Sequence, residues 1–541
     1  MSSDSPSERK IAYFSMEVGI DARIPTYSGG LGVLAGDFLK AAADNEVPIL
    51  GVTLLSRGGY FFQKVEGERQ VEVPVSWRVD DFLEPVDEIV EVEIKDRVVK
   101  VTAWKYTIEG VSGGQVPVLF LDTDLEENKK SDRALTNDLY GNGLDYRLKQ
   151  EIVLGVGGLR LLEKLGFDAI EHYHLNEGHS SFLCLELARQ LGSEEEVREL
   201  CNFTTHTPVP AGHDKFPMND VEEAINTSLF KTIPSRLAGQ DNLNMTELAL
   251  EMSGYINGVA KKHAQVSRSM FPNYPIHSIT NGVHARTWIS DSFQTLFDSS
   301  LPGWREDPSV LRAAAQLDDS AVWEAHRKEK EKALDYVNTQ SNAGFDYDYL
   351  TLCWARRFTS YKRPLLFFED LDRLKKIANQ NGPLQVVYAG KAHPNDTAGK
   401  ELIEEIVALS EQLNGELNLV YLENYDIELA KMLTAGVDVW LNTPLPPHEA
   451  SGTSGMKCAL NGVPQLSVLD GWWLEGWVEG ETGWSLQDSQ DVYQKLTQKI
   501  VPTFYNQPQE WKTMMKQVIA LNGSFFNASR MVQEYLQRAY R

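Results

Sequence analysis

Cysteine is scarce in this chain: four residues in 541 (Cys184, Cys201, Cys353 and Cys458), with no CxxC spacing. That excludes a disulfide framework and predicts buried free thiols in a reducing compartment. Long apolar runs are missing too. No stretch is long enough to cross a bilayer, and the polar start MSSDSPSERK lacks the apolar core of a signal peptide. A cytoplasmic protein away from membranes is expected. Net positive charge is also absent, since 52 Lys and Arg stand against 77 Asp and Glu, a balance of −25. Without a basic stripe to neutralise phosphates, nucleic acid is not an expected partner. Acidity leaves small anions open, because local cationic clusters can oppose the global field. Neither a fixed-period repeat nor a low-complexity segment is found.

What is there is enough apolar material for more than one core. A hydrophobic fraction of 42% over 541 residues predicts two domains. Apolar runs at 10–18 and 47–55 flank a glycine loop, Tyr27-Ser28-Gly29-Gly30-Leu31-Gly32, and a helical stretch at 33–45. That is one βαβ unit whose turn lets a ligand approach the backbone. Alternation over 88–109 predicts antiparallel hairpins. Helical periodicity covers 139–165, and further strand runs at 169–175, 200–205 and 276–280 each end in polar groups. Residues 285–345 read as a helical connector, with Asp319 and Ser320 as caps. Strand runs at 349–355, 384–389, 417–422, 437–441 and 465–469 then alternate with helices, the pattern of a parallel doubly wound sheet. The expected domains are 1–345 and 346–510, with C-terminal helices at 511–541 crossing back to the first.

The stretch PPHEASGTSGMKCALNG, 446–462, places a small-residue loop before a helix. Backbone N–H groups and the positive end of the helix dipole then point at one spot, a seat for an anion. Lys457 can reach back over that loop, and Glu449 can accept from hydroxyl groups. Straight after the strand run at 349–355, Arg356, Arg357, Lys362 and Arg363 gather four cations within eight residues. In an acidic chain such a cluster calls for an anion among them. Lys391 ends the next strand in the same way. The histidines His172, His174, His179, His206 and His213 fit no usual metal-ligand spacing, so no metal is expected.

These residues carry a resemblance to the α-glucan (glycogen/maltodextrin) phosphorylase family, in its short bacterial and archaeal form. The matching motifs run in order: FSMEVG at 14–19, GGLG at 29–32, RLKQE at 147–151, HLNEGH at 174–179 and HTPVPAGH at 206–213. TNGVHARTW at 280–288, ARRFTSYKR at 355–363, GKAHP at 390–394 and EASGTSGMK at 449–457 complete the set. The resemblance implies an α/β fold of GT-B architecture. Two Rossmann-like domains would face each other across a deep crevice, with an antiparallel β insertion in the first. It implies retaining phosphorolysis of α-1,4-glucans to glucose 1-phosphate, with pyridoxal 5′-phosphate as cofactor and its phosphate as proton relay. Lys457 would bind the pyridoxal covalently. Gly452, Thr453 and Ser454 would line the cofactor phosphate, with Arg356 and Lys362 as partner cations, and Tyr425 and Trp288 beside the ring. Arg357 and the backbone at Gly30 and Leu31 would grip the substrate phosphate. Glu449, Ser451, Gly452, Asn281 and His206 would contact the glucosyl unit, with Glu17 and Tyr361 nearby. A homodimer is implied as well.

Phosphorolysis needs no pair of glycosidase carboxylates, and none stands out here. The sequence departs from the animal and plant pattern in three places. Arg356 stands where those enzymes carry Lys, Thr359-Ser360 replace a His-Glu pair, and Asp426 replaces an Arg near the cofactor phosphate. The long N-terminal regulatory region is also missing, so control through that region is not expected. A nucleotide-sugar-dependent transferase of the glycogen-synthase kind shares the two-domain layout but has no use for Lys457. A non-catalytic glucan-binding relative would have no need to keep Lys457, Arg357, Lys362 and Glu449 together.

Overall fold

In the computed structural model, which describes residues 6–541 apart from 142 and 414, the chain divides into two compact units. The first comprises Met1–Phe61, Pro74–Thr280 and Met531–Arg541, and the second Phe62–Val73 and Asn281–Arg530.

The first unit is built on β1 (Ile11–Ser15), β2 (Ile49–Leu54), β3 (Arg97–Glu109), β4 (Gln115–Asp122), β5 (His172–Asn176), β6 (Cys201–Thr205), β7 (Tyr255–Gly258) and β8 (Ile276–Ser278). Their order in the sheet is β8-β7-β6-β5-β1-β2-β4-β3. All neighbours from β8 to β4 run parallel. β3 is antiparallel to β4 and also pairs with Glu84–Pro85 and Val90–Ile94. β1, β2 and β6 are buried at every position, which is why parallel strands covered on both faces read as unbroken apolar runs. Register brings Ser15 beside Asn176, and Asn176 beside Thr204. The segments leaving β1, β5 and β6 therefore emerge side by side.

The second unit holds a wholly parallel sheet of β9 (Leu350–Ala355), β10 (Leu384–Ala389), β11 (Asn418–Leu422), β12 (Val439–Asn442), β13 (Gln465–Val468) and β14 (Gly483–Leu486). The order is β11-β10-β9-β12-β13-β14. The order reverses at β9, where a sheet of this kind opens its ligand site.

The division falls at 280/281 rather than at 345/346. The reason is the long helix at Asp319–Ser341. Its Lys330 Nζ and His326 Nε2 bond the buried Asp438 carboxylate at 2.6 and 2.9 Å, and Asp438 also accepts from Thr351 N at 2.8 Å. The connector is thereby anchored to the start of β9 and β12. Its cap is Asp318, which accepts from Ser320 N and Ala321 N. Asp319 and Ser320 lie inside the helix. The expected helix over 139–165 is Leu144–Ile152 and Gly158–Lys164 joined by a π-helical turn, Val153–Gly157. At the C-terminus, residues up to Arg530 belong to the second unit and Met531–Arg541 to the first. There Tyr535 OH meets Thr204 Oγ1 and Asn257 Nδ2, each at 3.0 Å. Among the described residues no helix is long and apolar enough to cross a membrane.

Candidate functional site

Each unit gathers polar residues where its parallel strands end. In the first unit Glu17 follows β1 and is 3% exposed. Its carboxylate accepts from Ser28 N at 2.6 Å, Gly29 N at 3.2 Å and Tyr140 OH at 2.8 Å. Glu17 therefore braces the glycine loop from behind. The loop leads into the helix Gly30–Asp44, whose opening has no side-chain cap. A Cβ added at Gly30 would meet nothing within 4 Å. The first N–H groups of a helix, here those of Gly30 and Leu31, have no acceptors within it.

His206 follows β6. Its N donates to Glu177 Oε2 at 2.8 Å, and its Nε2 lies 2.6 Å from Asn176 Oδ1. With Asn176 oriented as an acceptor, Nε2 is the protonated nitrogen. Burial lowers the His206 pKa to about 3, helped by His263, His174 and His179. His206 is thus a neutral hydrogen-bonding group across the physiological range. Glu177 adopts a left-handed backbone, φ 72°, and its carboxylate holds His206 N and Thr207 Oγ1.

In the second unit one carboxylate oxygen, Glu449 Oε2, accepts from Arg356 Nη2 at 2.5 Å and Lys362 Nζ at 2.7 Å. Burial alone would raise the Glu449 pKa, but Arg356 and Lys362 outweigh it and hold it down to about 2. Arg356 Nη1 also bonds Asn442 Oδ1 at the end of β12. The backbone of Glu449 is seated on Asp470, which accepts from Glu449 N and Gly471 N at 2.9 Å each. Gly452 has φ +86°, a conformation that favours glycine. Thr453 and Ser454 open the short helix Ser454–Leu460 without capping it. Lys457, 6% exposed, sets its Nζ 3.8 Å from the centroid of the buried Trp288 ring. Tyr361 faces Lys362 Nζ at 4.5 Å from its ring centroid. Burial would raise the Tyr361 pKa, but Lys362 and the neighbouring arginines bring it below its ordinary value. Arg357 is exposed beside this cluster.

Three buried polar atoms here have no hydrogen-bond partner: Asn281 Oδ1, Ser451 Oγ and Arg356 Nε. Buried polar groups are normally satisfied, so such orphans mark places a ligand or water would complete. Sequence reasoning named all three residues. It did not find Asn442, Asp470 or Tyr140, whose partners are remote in sequence. Nor did it anticipate that Glu449 would serve as counter-ion to Arg356 and Lys362. Asp426 caps the helix Ile427–Gly436, accepting from Leu429 N at 2.9 Å.

Comparison with known proteins gives a consistent picture. The family model described as carbohydrate phosphorylase matches residues 218–479. The maltodextrin phosphorylase of Thermococcus litoralis is 36% identical over 98% of this chain and 70% of its own length. The glycogen phosphorylase of Mycobacterium tuberculosis is 35% identical over the same shares. That of Aquifex aeolicus is 33% identical over 98% of this chain and 86% of its own.

Proposed function

This chain belongs to the carbohydrate phosphorylase family, and from that premise we propose that it cleaves α-1,4-glucans with inorganic phosphate. The products are glucose 1-phosphate and a glucan shortened by one unit, with retained configuration. The bond from the anomeric carbon to the chain oxygen breaks, a bond to a phosphate oxygen forms, and a proton passes to the departing chain oxygen. The observation that carries the reading is the convergence of Arg356 and Lys362 on a single oxygen of Glu449 at 2.5 and 2.7 Å, eight residues before the buried Lys457.

The residues present fit pyridoxal 5′-phosphate. Lys457 stands over an aromatic ring, Arg356 has a buried nitrogen still to be satisfied, and Tyr425 is partly buried nearby in sequence to Asp426. In this reading Lys457 anchors the group, Trp288 and Tyr425 flank it, and Arg356, Lys362, Gly452, Thr453 and Ser454 hold its phosphate. When bound, the group supplies a second phosphate dianion with which substrate phosphate can exchange a proton. The chain's own groups account for the rest. Glu17 is committed to the glycine loop, Glu449 stays ionised, and His206 stays neutral. None of these three is poised to donate the proton, and in this reading it comes from substrate phosphate. By the same reading Arg357 binds that phosphate and stabilises the charge it develops. In this reading Asn281 and Ser451 orient the glucosyl unit. We read the two Rossmann-like units as the halves of a GT-B transferase. Four buried free thiols, with Cys184 Sγ donating to Cys201 Sγ at 3.8 Å, suit a reducing cytoplasm.

Borohydride reduction of the purified protein, followed by peptide mass mapping, tests the cofactor assignment. A pyridoxyl adduct on Lys457 is expected, and an unmodified Lys457 in active protein would sink it. Lys457→Ala is expected to abolish glucose 1-phosphate release from maltodextrin and phosphate, as measured by a coupled assay.

A further inference from the structure

The hairpin Phe62–Glu66/Arg69–Val73 lies early in the chain yet belongs to the second unit. Its burial pattern is inverted. Phe62 is 42% exposed, while Gln63 is 0% and Gln70 7% exposed. A lone two-stranded hairpin is marginal in water, and one that turns glutamines inward needs partners for them.

Those partners are backbone groups at the ends of β10 and β11. Gln70 Oε1 accepts from Ala392 N and Gln70 Nε2 donates to Ala392 O, both at 3.0 Å. One carboxamide thus satisfies both backbone groups of one residue. Gln63 Nε2 donates to Gly390 O at 3.0 Å and to Gln70 Oε1 at 2.8 Å. Its Oε1 accepts from Asn424 N at 2.9 Å, and Gln63 N donates to Asn424 Oδ1 at 3.1 Å. Asn424 is left-handed, φ 53°, a conformation that needs support from its surroundings. Val65 N adds a bond to Glu423 Oε1 at 3.1 Å.

The gripped segments lead directly to the cation cluster. Lys391 lies between Gly390 and Ala392, and Tyr425 follows Asn424. Arg356 N donates to Ala389 O at 3.1 Å, and Phe358 N donates to Lys391 O at 2.9 Å. Gly390 presses so closely on Arg356 that a Cβ would fall 1.9 Å from Arg356 O. We propose that Gln63 and Gln70 are positioning residues of the anion seat, fixing through Gly390–Ala392 and Asn424 the backbone that aims Arg356, Lys391 and Tyr425. The effect on cofactor binding rests on the pyridoxal phosphate reading above. The effect on loop order does not.

The test uses the 541-residue chain freed of cofactor, with Gln63→Leu, Gln70→Leu and, as a control on the outward face of the same hairpin, Lys64→Ala. Hydrogen exchange at the Ala392 and Asn424 amides and a spectroscopic titration with pyridoxal 5′-phosphate are the two readouts. The glutamine variants are expected to exchange faster at these amides and to bind the cofactor roughly tenfold more weakly, the size expected for one lost buried hydrogen bond. The control should match wild type in both. Unchanged exchange overturns the proposal. Faster exchange with wild-type affinity also overturns it, because the hairpin would then be only a cover. If a leucine variant does not fold, Gln70→Glu, which keeps the shape and loses the amide donor, is held to the same two results. A wild-type protein that takes up no pyridoxal phosphate overturns the cofactor reading and the affinity half of this proposal, while exchange still decides the loop half.

Discussion

At the scale of single residues, Glu449 is the most informative. It is ionised because Arg356 and Lys362 overcome the cost of its burial. Its pKa falls from 4.5 to about 2 on folding, so its contribution is complete above the unfolded value and lost as pH drops toward the folded one. Removing the charge in Glu449→Gln is expected to destabilise the protein at neutral pH, because it leaves two buried cations with less compensation. The difference from wild type should then shrink as pH falls from 4.5 toward 2. Denaturant midpoints of both proteins across that range check it, and a pH-independent gap would refute the coupling. Gly390→Ala is a steric counterpart. Its φ of +147° and the 1.9 Å approach to Arg356 O leave no room for a methyl group. The backbone conformation alone should cost on the order of 1–3 kcal/mol, measurable by equilibrium unfolding, and a neutral substitution would show that the Gly390–Arg356 contact is not tight. Motif reading found Arg356, Lys362, Glu449 and Lys457 because they fall in two of the stretches that carry the family resemblance, 355–363 and 449–457. It could not see that Glu449 pairs with both cations, since that depends on β9 and β12 being neighbours.

At the scale of elements, the helix Asp319–Ser341 is held by the buried group of Lys330, His326 and Asp438. Asp438 is fully buried, and Lys330 and His326 keep its pKa below the ordinary carboxylate range against the effect of burial. Lys330→Ala leaves that carboxylate with half its compensation and should cost about 3–5 kcal/mol, read from urea unfolding. A loss below about 1 kcal/mol, typical of exposed pairs, would mean that water enters to replace the ammonium. Nothing in the sequence announces this group, because its members lie 108 and 112 residues apart. The strands were easier to read. Buried parallel strands leave uninterrupted apolar runs, and Leu384–Ala389 was found to the residue. Tyr255–Gly258 was missed, being four residues long and containing Asn and Gly. The helix over 139–165 was read as continuous because periodicity does not register a single π turn. Most instructive is the Phe62–Val73 hairpin. The sequence reading places hairpins only at 88–109, and tertiary structure assigns this one to the unit made mainly of residues 281–530.

At the scale of the whole molecule, the two units differ in what acid should do to them. The first unit holds five buried or half-buried histidines in neutral form. Burial lowers His174 and His206 to about 3 and His179, His213 and His263 to about 4, from 6.5. Between those values the unfolded chain binds protons that the native histidines refuse, so their contribution is full above pH 6.5 and falls toward pH 4, offset in part by Glu151 and Glu177, whose pKa values burial raises. Carboxylates of the second unit with depressed pKa values, Glu449 and Asp438 among them, lose their contribution only below 4.5. Acid between pH 6.5 and 4.5 should therefore loosen the first unit before the second. Of the 12 tryptophans, only Trp77 and Trp104 lie in the first unit. Tryptophan emission thus reports mainly on the second. Hydrogen exchange, corrected for intrinsic rates, should show protection lost around His172–Asn176 and Cys201–Thr205 at a higher pH than the one at which the emission shifts red. Coincident transitions would mean that the units unfold as one body and that the buried histidines do not set the order.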